Sequence, residues 1–156
     1  MPEKKKFYLT KQGLRELKKE YEALKKLRIA KTQDRVPEIL ESEDLNPEYL
    51  FFREDLNLLE ARLSELGDIL KDTVLIRPPS KEKTSFVNLG AKVTVQVDGE
   101  KDEFEIVGTL EANPALGRIS NESPVGLALL GHKAGEEVMV SSPIKTIYKI
   151  KKIRYN

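Results

Sequence analysis

The chain has 156 residues, which suits one compact domain or two small ones, and 34% of them are charged, a fraction typical of long solvated helices. Its formal net charge is +1, and it contains no cysteine, which excludes disulfides and thiolate zinc sites. It carries neither a secretion signal nor an apolar run of the roughly 20 residues that spans a bilayer, so we expect a cytoplasmic protein without a membrane partner.

The first predicted element is a helix over residues 10–31. Its apolar side chains recur at spacings of three, four and three residues, at Leu14, Leu17, Tyr21 and Leu24. Thr10 stands where an N-cap is expected. If this arm continues to Leu40, Pro37 interrupts it and either kinks the helix or starts a new turn.

A second helix is predicted over residues 52–70, where apolar side chains alternate at spacings of four and three. The series is Phe52, Leu56, Leu59, Leu63, Leu66 and Leu70. Such an a/d seam needs a partner helix, and the first helix carries a matching one. We therefore expect an antiparallel coiled-coil hairpin that buries five leucines between its helices: Leu17, Leu24, Leu59, Leu63 and Leu66.

Between the two helices lies an acidic segment, ESEDLNPEY, at residues 41–49. From Val36 to Phe52 the chain has five acids and no Lys or Arg. Like charges at the end of a rod repel one another unless a cation neutralises them, and hard divalent cations take oxygen ligands. Two interpretations stay open: a solvated loop, or carboxylates that the hairpin carries to a metal held by another molecule. For Asp44 the choice lies between a cap or turn acceptor and a metal ligand.

The second half of the chain begins with a linker. IRPPSKEKTS, with its two prolines, marks it at residues 77–85, and beyond it the apolar period changes to two. AKVTVQV and DEFEIVG, joined by Asp98-Gly99, predict a β-hairpin. EEVMVSS and KTIYKIKKIRY predict two further strands, so this half is expected to form a small twisted sheet.

A short helix over residues 124–130 is predicted inside this sheet, because Ser123 fits its N-cap and Gly131 its stop. The predicted fold class is therefore α+β. It comprises a coiled-coil hairpin domain with an acidic tip at residues 1–76, the linker, and a compact α+β domain at residues 86–156.

The C-terminal sequence ISNESPVGLALLGHKAGEEV is very similar to the signature of the bacterial GreA/GreB family of transcript cleavage factors. In that family a Ser-Pro-x-Gly-x-Ala-Leu-(Leu/Ile)-Gly core is followed by Gly-acid-x-Val. The matching positions are Ser123, Pro124, Gly126, Ala128, Leu129, Leu130, Gly131, Gly135, Glu136 and Val138. YLTKQGLRELKKEYEALK resembles the family's first helix, and DLNPEY followed by RED resembles its tip. The resemblance covers nearly the whole chain, in order.

This resemblance implies a factor that binds RNA polymerase. The α+β domain, similar in fold to FKBP-type domains, would dock on the polymerase through a turn to which we assign Ser123, Pro124, Gly126, Leu129, Leu130 and Gly131. The other interpretation of this segment, a turn that serves only the fold, stays open. The hairpin would enter the channel through which nucleotides pass and help the polymerase to bind a second Mg²⁺, for cleavage of the backtracked RNA 3′ end. The metal is not expected on the isolated protein, which would be a monomer and not an enzyme by itself.

The tip departs from the family pattern. Asp44 lies at the family's first catalytic acid, but between Asp44 and Tyr49 the chain has four residues where the family has six. The usual second acid, three residues after the Asp, is missing, and Pro47 stands at that offset. Glu43 and Glu48 are the candidate substitutes, with Asp44 and Glu43 as the expected Mg²⁺ ligands in the complex.

Residues around the tip are also assigned by the resemblance. The family often carries an arginine four residues before the Asp, which is Leu40 here, so RNA guidance is assigned to Arg53. Tyr49, Phe51 and Phe52 are expected to support the tip by packing beneath it.

Two other functions stay open. The shortened tip also suits a Gre-like regulator that occupies the channel and blocks or modulates the polymerase without stimulating cleavage. A coiled-coil interaction protein unrelated to transcription would need the hairpin but not the C-terminal signature. Release of RNA 3′ fragments from stalled elongation complexes distinguishes these functions.

Overall fold

The computed structural model describes residues 6–33, 47–141 and 144–155. Asp44, Glu43 and the greater part of the acidic segment lie outside the described residues. The chain divides into two compact units. One runs over Leu14–Asp72, and the other joins the residues before Leu14 to those from Thr73 onward.

Two long helices build the unit that runs over Leu14–Asp72. Helix α1 spans Lys11–Gln33 and helix α2 spans Pro47–Lys71. Two ion pairs cross between them, from Arg62 Nε to Glu20 Oε1 at 2.8 Å and from Lys31 Nζ to Asp55 Oδ2 at 2.6 Å. Because the earlier residue of α1 meets the later residue of α2, the helices are antiparallel, which confirms the predicted hairpin.

The predicted seam is buried on α2 but only half-buried on α1. Leu59, Leu63 and Leu66 are buried, as predicted, together with Ile69. The prediction was wrong for Leu17 and Leu24, which are half-buried. In a hairpin of only two helices each helix covers one side of the other, so residues at the rim of the seam keep contact with water.

Helix α2 begins at Pro47, five residues before the start that the seam predicts. Proline suits the first turn of a helix, because its missing N–H would have no intrahelical acceptor there and its φ is already helical. Pro47 therefore suits its place as the first residue of α2.

The second unit is centred on a five-stranded sheet with the strand order β5-β4-β3-β7-β6. Its strands are β3 (Lys92–Val97), β4 (Glu100–Val107), β5 (Arg118–Ser120), β6 (Glu137–Val140) and β7 (Thr146–Arg154). All neighbouring strands are antiparallel except β4 and β5, which are parallel. The predicted hairpin is confirmed: Asp98 and Gly99 both have positive φ, at 51° and 81°, which a tight two-residue turn requires.

A β-bulge interrupts the pairing of β3 with β7. Val95 pairs with Ile150, whereas Thr94 pairs with Lys152, so Lys151 is the extra residue. A bulge of this kind changes the direction in which neighbouring side chains point, and Lys151 and Lys152 are both exposed.

One face of the sheet carries the core of this unit. The buried cluster consists of Val87, Ala91, Val93, Val95, Ile106, Ile119, Leu129, Val138 and Ile150. Leu129 comes from the short helix α3 (Pro124–Leu129), which packs on this face and ends close to the predicted boundary. The opposite face, which we call the outer face, carries mainly charged side chains.

A second, two-stranded sheet was not foreseen from the sequence. Strand β1 (Phe7–Leu9) lies just before α1, and β2 (Thr73–Leu75) lies just after α2. They pair in parallel, with Phe7 opposite Thr73. The backbone N–H of Ile76 extends the pairing by donating to the carbonyl of Leu9 at 2.7 Å.

None of the helices in the described part of the chain is both long enough and apolar enough to cross a membrane.

Candidate functional site

The structure describes the last three residues of the acidic segment, from Pro47 to Tyr49 at the start of α2, and α1 ends before the segment at Gln33. Of the three predicted tip acids only Glu48 is described. It lies in the first turn of α2 and is exposed to solvent. A helix N-terminus carries a positive partial charge, so an acidic side chain suits this position.

The aromatic residues that follow do not all support the tip. Phe52 and Tyr49 are half-buried, but Phe51 is 72% exposed, so its predicted packing beneath the tip is wrong. Consecutive helical residues point about 100° apart, so Phe51 and its half-buried neighbour Phe52 do not lie on the same face of α2. Arg53 is exposed, and its assignment to RNA guidance stays a prediction.

The ion pair between Lys31 and Asp55 joins the two helices close to this end. Lys31 is in the last turn of α1, and its side chain is less exposed than that of Asp55. A single surface pair of this kind contributes at most about 1 kcal/mol. Its geometric role is larger, because it fixes the spacing of the helices next to the acidic segment.

Metal binding by the described residues alone has no support, since among residues 6–33, 47–141 and 144–155 no three acids or histidines are grouped to hold an ion. Mg²⁺ is commonly bound by one or two carboxylates, with waters and substrate oxygens completing its shell. The carboxylate of Glu48 is exposed and therefore accessible to another molecule.

The second predicted site is the turn that leads into α3. The Ser123 hydroxyl donates to the carbonyl of Ser120 at 2.6 Å and accepts the N–H of Gly126 at 3.1 Å. Ser123 is thus the N-cap of α3, which confirms the prediction. Gly126 is required here, because a Cβ at this position would overlap the Ser120 carbonyl.

The predicted docking residues differ in how far a partner can reach them. Pro124 and Gly131 are exposed, and Ser123 and Leu130 are half-buried. Gly126 and Leu129 are buried, so they can contribute to docking only through the shape of the turn. The apolar side chain that α3 offers most fully to solvent is Leu127, at 62% exposure, and the helical period around buried Leu129 indicates this position.

A hydrogen-bond network fixes the approach to this turn. The Thr109 hydroxyl donates to Glu122 Oε2 at 2.8 Å and lies 2.9 Å from the Ser120 hydroxyl. The backbone N–H of Glu122 donates to the same Ser120 hydroxyl at 3.0 Å. The segment from Ser120 to Ser123 is therefore held at both ends, a rigid base for a binding surface.

His132 follows the turn and pairs with Glu136. Their Nδ1 and Oε2 atoms lie 2.7 Å apart, and the same carboxylate accepts the backbone N–H of Lys133 at 3.1 Å. The Lys133 N–H, and after it the His132 ring, lower the pKa of Glu136. Both side chains are exposed, so this group orders the loop after α3 without forming a pocket.

Two family models match the chain, one in each half. The model "Transcription elongation factor, N-terminal" matches residues 7–74. The model "Transcription elongation factor, GreA/GreB, C-term" matches residues 81–155. Together they include both helices of the hairpin and all five strands of the larger sheet.

Individual relatives agree with these matches. The chain is 42% identical over 141 residues to Transcription elongation factor GreA of Thermomicrobium roseum, a match that covers 89% of this chain and 90% of the relative. It is 38% identical over 148 residues to Transcription elongation factor GreA of Clostridium acetobutylicum, with 92% of each chain covered.

A solved structure is also similar, the GreA factor homolog 1 (Gfh1) protein of Thermus thermophilus. Its identity is 27%, the match covers 96% of this chain and 99% of that one, and the TM-score is 0.42. At that TM-score the superposition adds nothing to the sequence relationship.

Proposed function

Because the chain belongs to the GreA/GreB family of transcription elongation factors, we propose that it binds RNA polymerase and acts on transcript elongation. The observation that carries this proposal is the family match in both halves of the chain. A match to the helical part alone would also be expected for many unrelated coiled coils. The C-terminal part has no such general sequence pattern, so its match is specific to the family.

Docking is assigned to α3 and the turn that leads into it. Leu127 and Pro124 offer exposed apolar surface, and the Ser123 cap with the Thr109 network holds the backbone beneath them. A rigid apolar patch binds with little loss of conformational entropy. The buried residues Gly126 and Leu129 maintain its shape.

The hairpin then acts at the polymerase active centre, near the nascent RNA 3′ end. Glu48, together with Asp44 and Glu43, offers carboxylate oxygens to a Mg²⁺ that the polymerase also holds, and Arg53 contacts the RNA backbone. Such a metal supplies an activated water for RNA cleavage.

The catalytic machinery belongs to the polymerase in this proposal. Exposed carboxylates at the end of a hairpin bind Mg²⁺ weakly, because each ion–carboxylate contact competes with water. The protein therefore acts in trans, as a soluble monomer, and is not an enzyme by itself.

A second candidate function is occupation of the channel without stimulation of cleavage. It is favoured by the tip, which is two residues shorter than the family pattern and has Pro47 where the second acid is expected. Pro47 is the first residue of α2. Its side chain has no oxygen atom, so it cannot replace the missing carboxylate.

The test is a time course of stalled, backtracked elongation complexes, assembled with polymerase from the same organism, with and without the protein. Stimulated release of 3′ RNA fragments is expected. Binding to the complex without fragment release supports the second candidate. Failure to bind the polymerase at all contradicts both.

A further inference from the structure

The outer face of the sheet has an apolar corner where β6 pairs with β7. Met139 and Ile147 lie directly opposite each other in that pairing and are 59% and 55% exposed. Ile144, in the connection between the two strands, is 74% exposed. Their neighbours Val138 and Val140 are buried, because strand residues alternate between the two faces.

Lysines continue the same face beyond this corner. Lys149 follows Ile147 at the next outward position of β7, and the bulge then leaves both Lys151 and Lys152 exposed. Lys101 lies in the same row as Lys149, with Gln96 of β3 between them. Adjacent strands are about 4.8 Å apart, so these ammonium groups form one field next to the apolar corner.

The acids of the outer face leave most of this field unneutralised. Glu103 pairs with Arg154 at 2.9 Å, and Glu105 lies 3.9 Å from Arg118. Glu137 lies opposite Lys149 in the strand pairing. Within the described part of the chain, no carboxylate lies within ion-pair distance of three of the lysines: Lys101, Lys151 and Lys152.

We propose that this β6–β7 face, defined by Met139, Ile147, Lys149 and Lys152, binds an acidic, partly apolar protein segment. The proposal rests on the proposed function, because it takes that segment to belong to RNA polymerase. Apolar side chains of the segment cover the corner, and its carboxylates meet the lysines. Charge complementarity of this kind steers association as well as specificity.

The composition of the face favours protein over nucleic acid. Sequence-independent binding of a single strand uses aromatic side chains on which bases stack. The aromatic side chains of the central strands, Phe104 and Tyr148, pack instead against the core on the other side of the sheet. Met139 and Ile147 also offer nothing to a phosphate backbone, whereas they suit the apolar side of a protein segment.

This face is independent of the turn before α3. Helix α3 packs on the core side of the sheet, where Leu129 is fully buried, and its exposed Leu127 is on that side as well. The β6–β7 face is therefore a second contact that contributes its own binding free energy. Substitutions on one face are expected to leave the structure of the other unchanged.

The experiment measures binding of the full chain to core RNA polymerase, at two salt concentrations. One variant, Met139→Ser with Ile147→Ser, removes the apolar corner, and a second, Lys149→Glu with Lys152→Glu, reverses two charges. Matched controls are Leu116→Ser, 71% exposed beside the opposite edge strand, and Lys81→Glu with Lys83→Glu, in an exposed turn of the same unit. Thermal unfolding verifies that each variant keeps its fold.

Each face variant is expected to weaken polymerase binding by about tenfold. The charge reversal should also reduce the salt dependence of binding, and the controls should bind as the unmutated protein does. Unchanged binding by both face variants, with loss on Leu127→Ser, overturns this proposal and leaves the proposed function standing. No binding by the unmutated protein overturns both. Binding to a short labelled RNA that the lysine variant abolishes, with polymerase binding unchanged, assigns the face to nucleic acid and also overturns the proposal.

Discussion

The carboxylate of Glu111 holds the start of α1 from a position 101 residues further along the chain. Its two oxygens accept the backbone N–H and the hydroxyl of Thr10, each at 2.6 Å. The Thr10 hydroxyl in turn accepts the N–H of Gly13 at 3.0 Å, so Thr10 is the N-cap that the sequence predicts. A Cβ at Gly13 would overlap the Glu111 carboxylate, so a larger residue there would displace that carboxylate from Thr10.

Removal of this carboxylate should therefore cost stability. Glu111→Ala leaves the backbone N–H and the hydroxyl of the N-cap Thr10 without their acceptor, and we expect a loss of about 1–2 kcal/mol in the free energy of unfolding. Urea unfolding followed by circular dichroism measures it. Glu100→Ala, an exposed acid of β4, is the control and should change stability little. Equal effects of the two changes would contradict the capping role.

The hairpin seam gives a second prediction. Leu63→Ala should lower the free energy of unfolding by about 2–5 kcal/mol, because Leu63 is buried between the helices. Leu58→Ala is the matched control on the same helix, since Leu58 is 71% exposed, and its effect should stay within about 0.5 kcal/mol. A neutral Leu63→Ala variant in thermal melts would show that the seam is misplaced.

Substitutions at two glycines distinguish a steric requirement for glycine from its low helix propensity. A Cβ at Gly126 would overlap the Ser120 carbonyl, so Gly126→Ala should destabilise the α3 turn by about 1–3 kcal/mol. At Gly67 in α2 the nearest neighbour of a Cβ would be the Tyr21 ring at 3.9 Å, an ordinary contact. Gly67→Ala should therefore stabilise the protein by up to about 1 kcal/mol through helix propensity. Opposite signs in calorimetry are the expected result.

The Glu136 group gives a pH dependence. The Lys133 N–H and His132 lower the pKa of Glu136 in the folded state. A lowered pKa means that the contribution is present above the ordinary Glu pKa and is lost as pH falls through the folded value. Glu136→Gln should thus reduce the acid sensitivity of the melting temperature, whereas Glu137→Gln, which also removes one charge, should not. Parallel curves for the unmutated protein and Glu136→Gln would contradict this linkage.

The tip acids give the functional prediction. Asp44→Asn keeps an oxygen acceptor but removes the charge that Mg²⁺ needs, so cleavage in stalled complexes should fall by about tenfold or more while polymerase binding persists. Glu43→Gln and Glu48→Gln, measured in the same assay, identify which acid replaces the missing one. If Asp44 is only a turn acceptor, Asp44→Asn lowers stability slightly and leaves cleavage unchanged.

The sequence predicts elements best where their stabilising partners are close along the chain. The seam from Leu59 to Leu66 is a local period, and the Asp98-Gly99 turn and the Ser123 cap are local chemistry, and all are confirmed. Burial of Leu17 was overestimated, because periodicity identifies the face of a helix but not how much of it a single partner covers.

Three strands were missed for the opposite reason. β1, β2 and β5 have three residues each, too few to establish an alternation, and β1 pairs with a strand more than sixty residues away. The contact between Glu111 and Thr10 has no local signal either, because the accepting carboxylate comes from a distant segment of the chain. The β6–β7 face was likewise invisible, because the bulge at Lys151 shifts the outward positions of β7 out of simple alternation.

The parallel pairing of β1 with β2 makes the whole helical hairpin a crossover connection. Parallel neighbours cannot be joined by a tight turn, and here α1 and α2 together fill that role. The register that sets Phe7 opposite Thr73 fixes where one arm starts and the other finishes. If residues are gained or lost between β1 and β2 while the helix seam is preserved, the change in length must fall between the two helices. For a tip two residues shorter than the family pattern, we therefore expect a change in the reach of the acids and none in the lengths of α1 and α2.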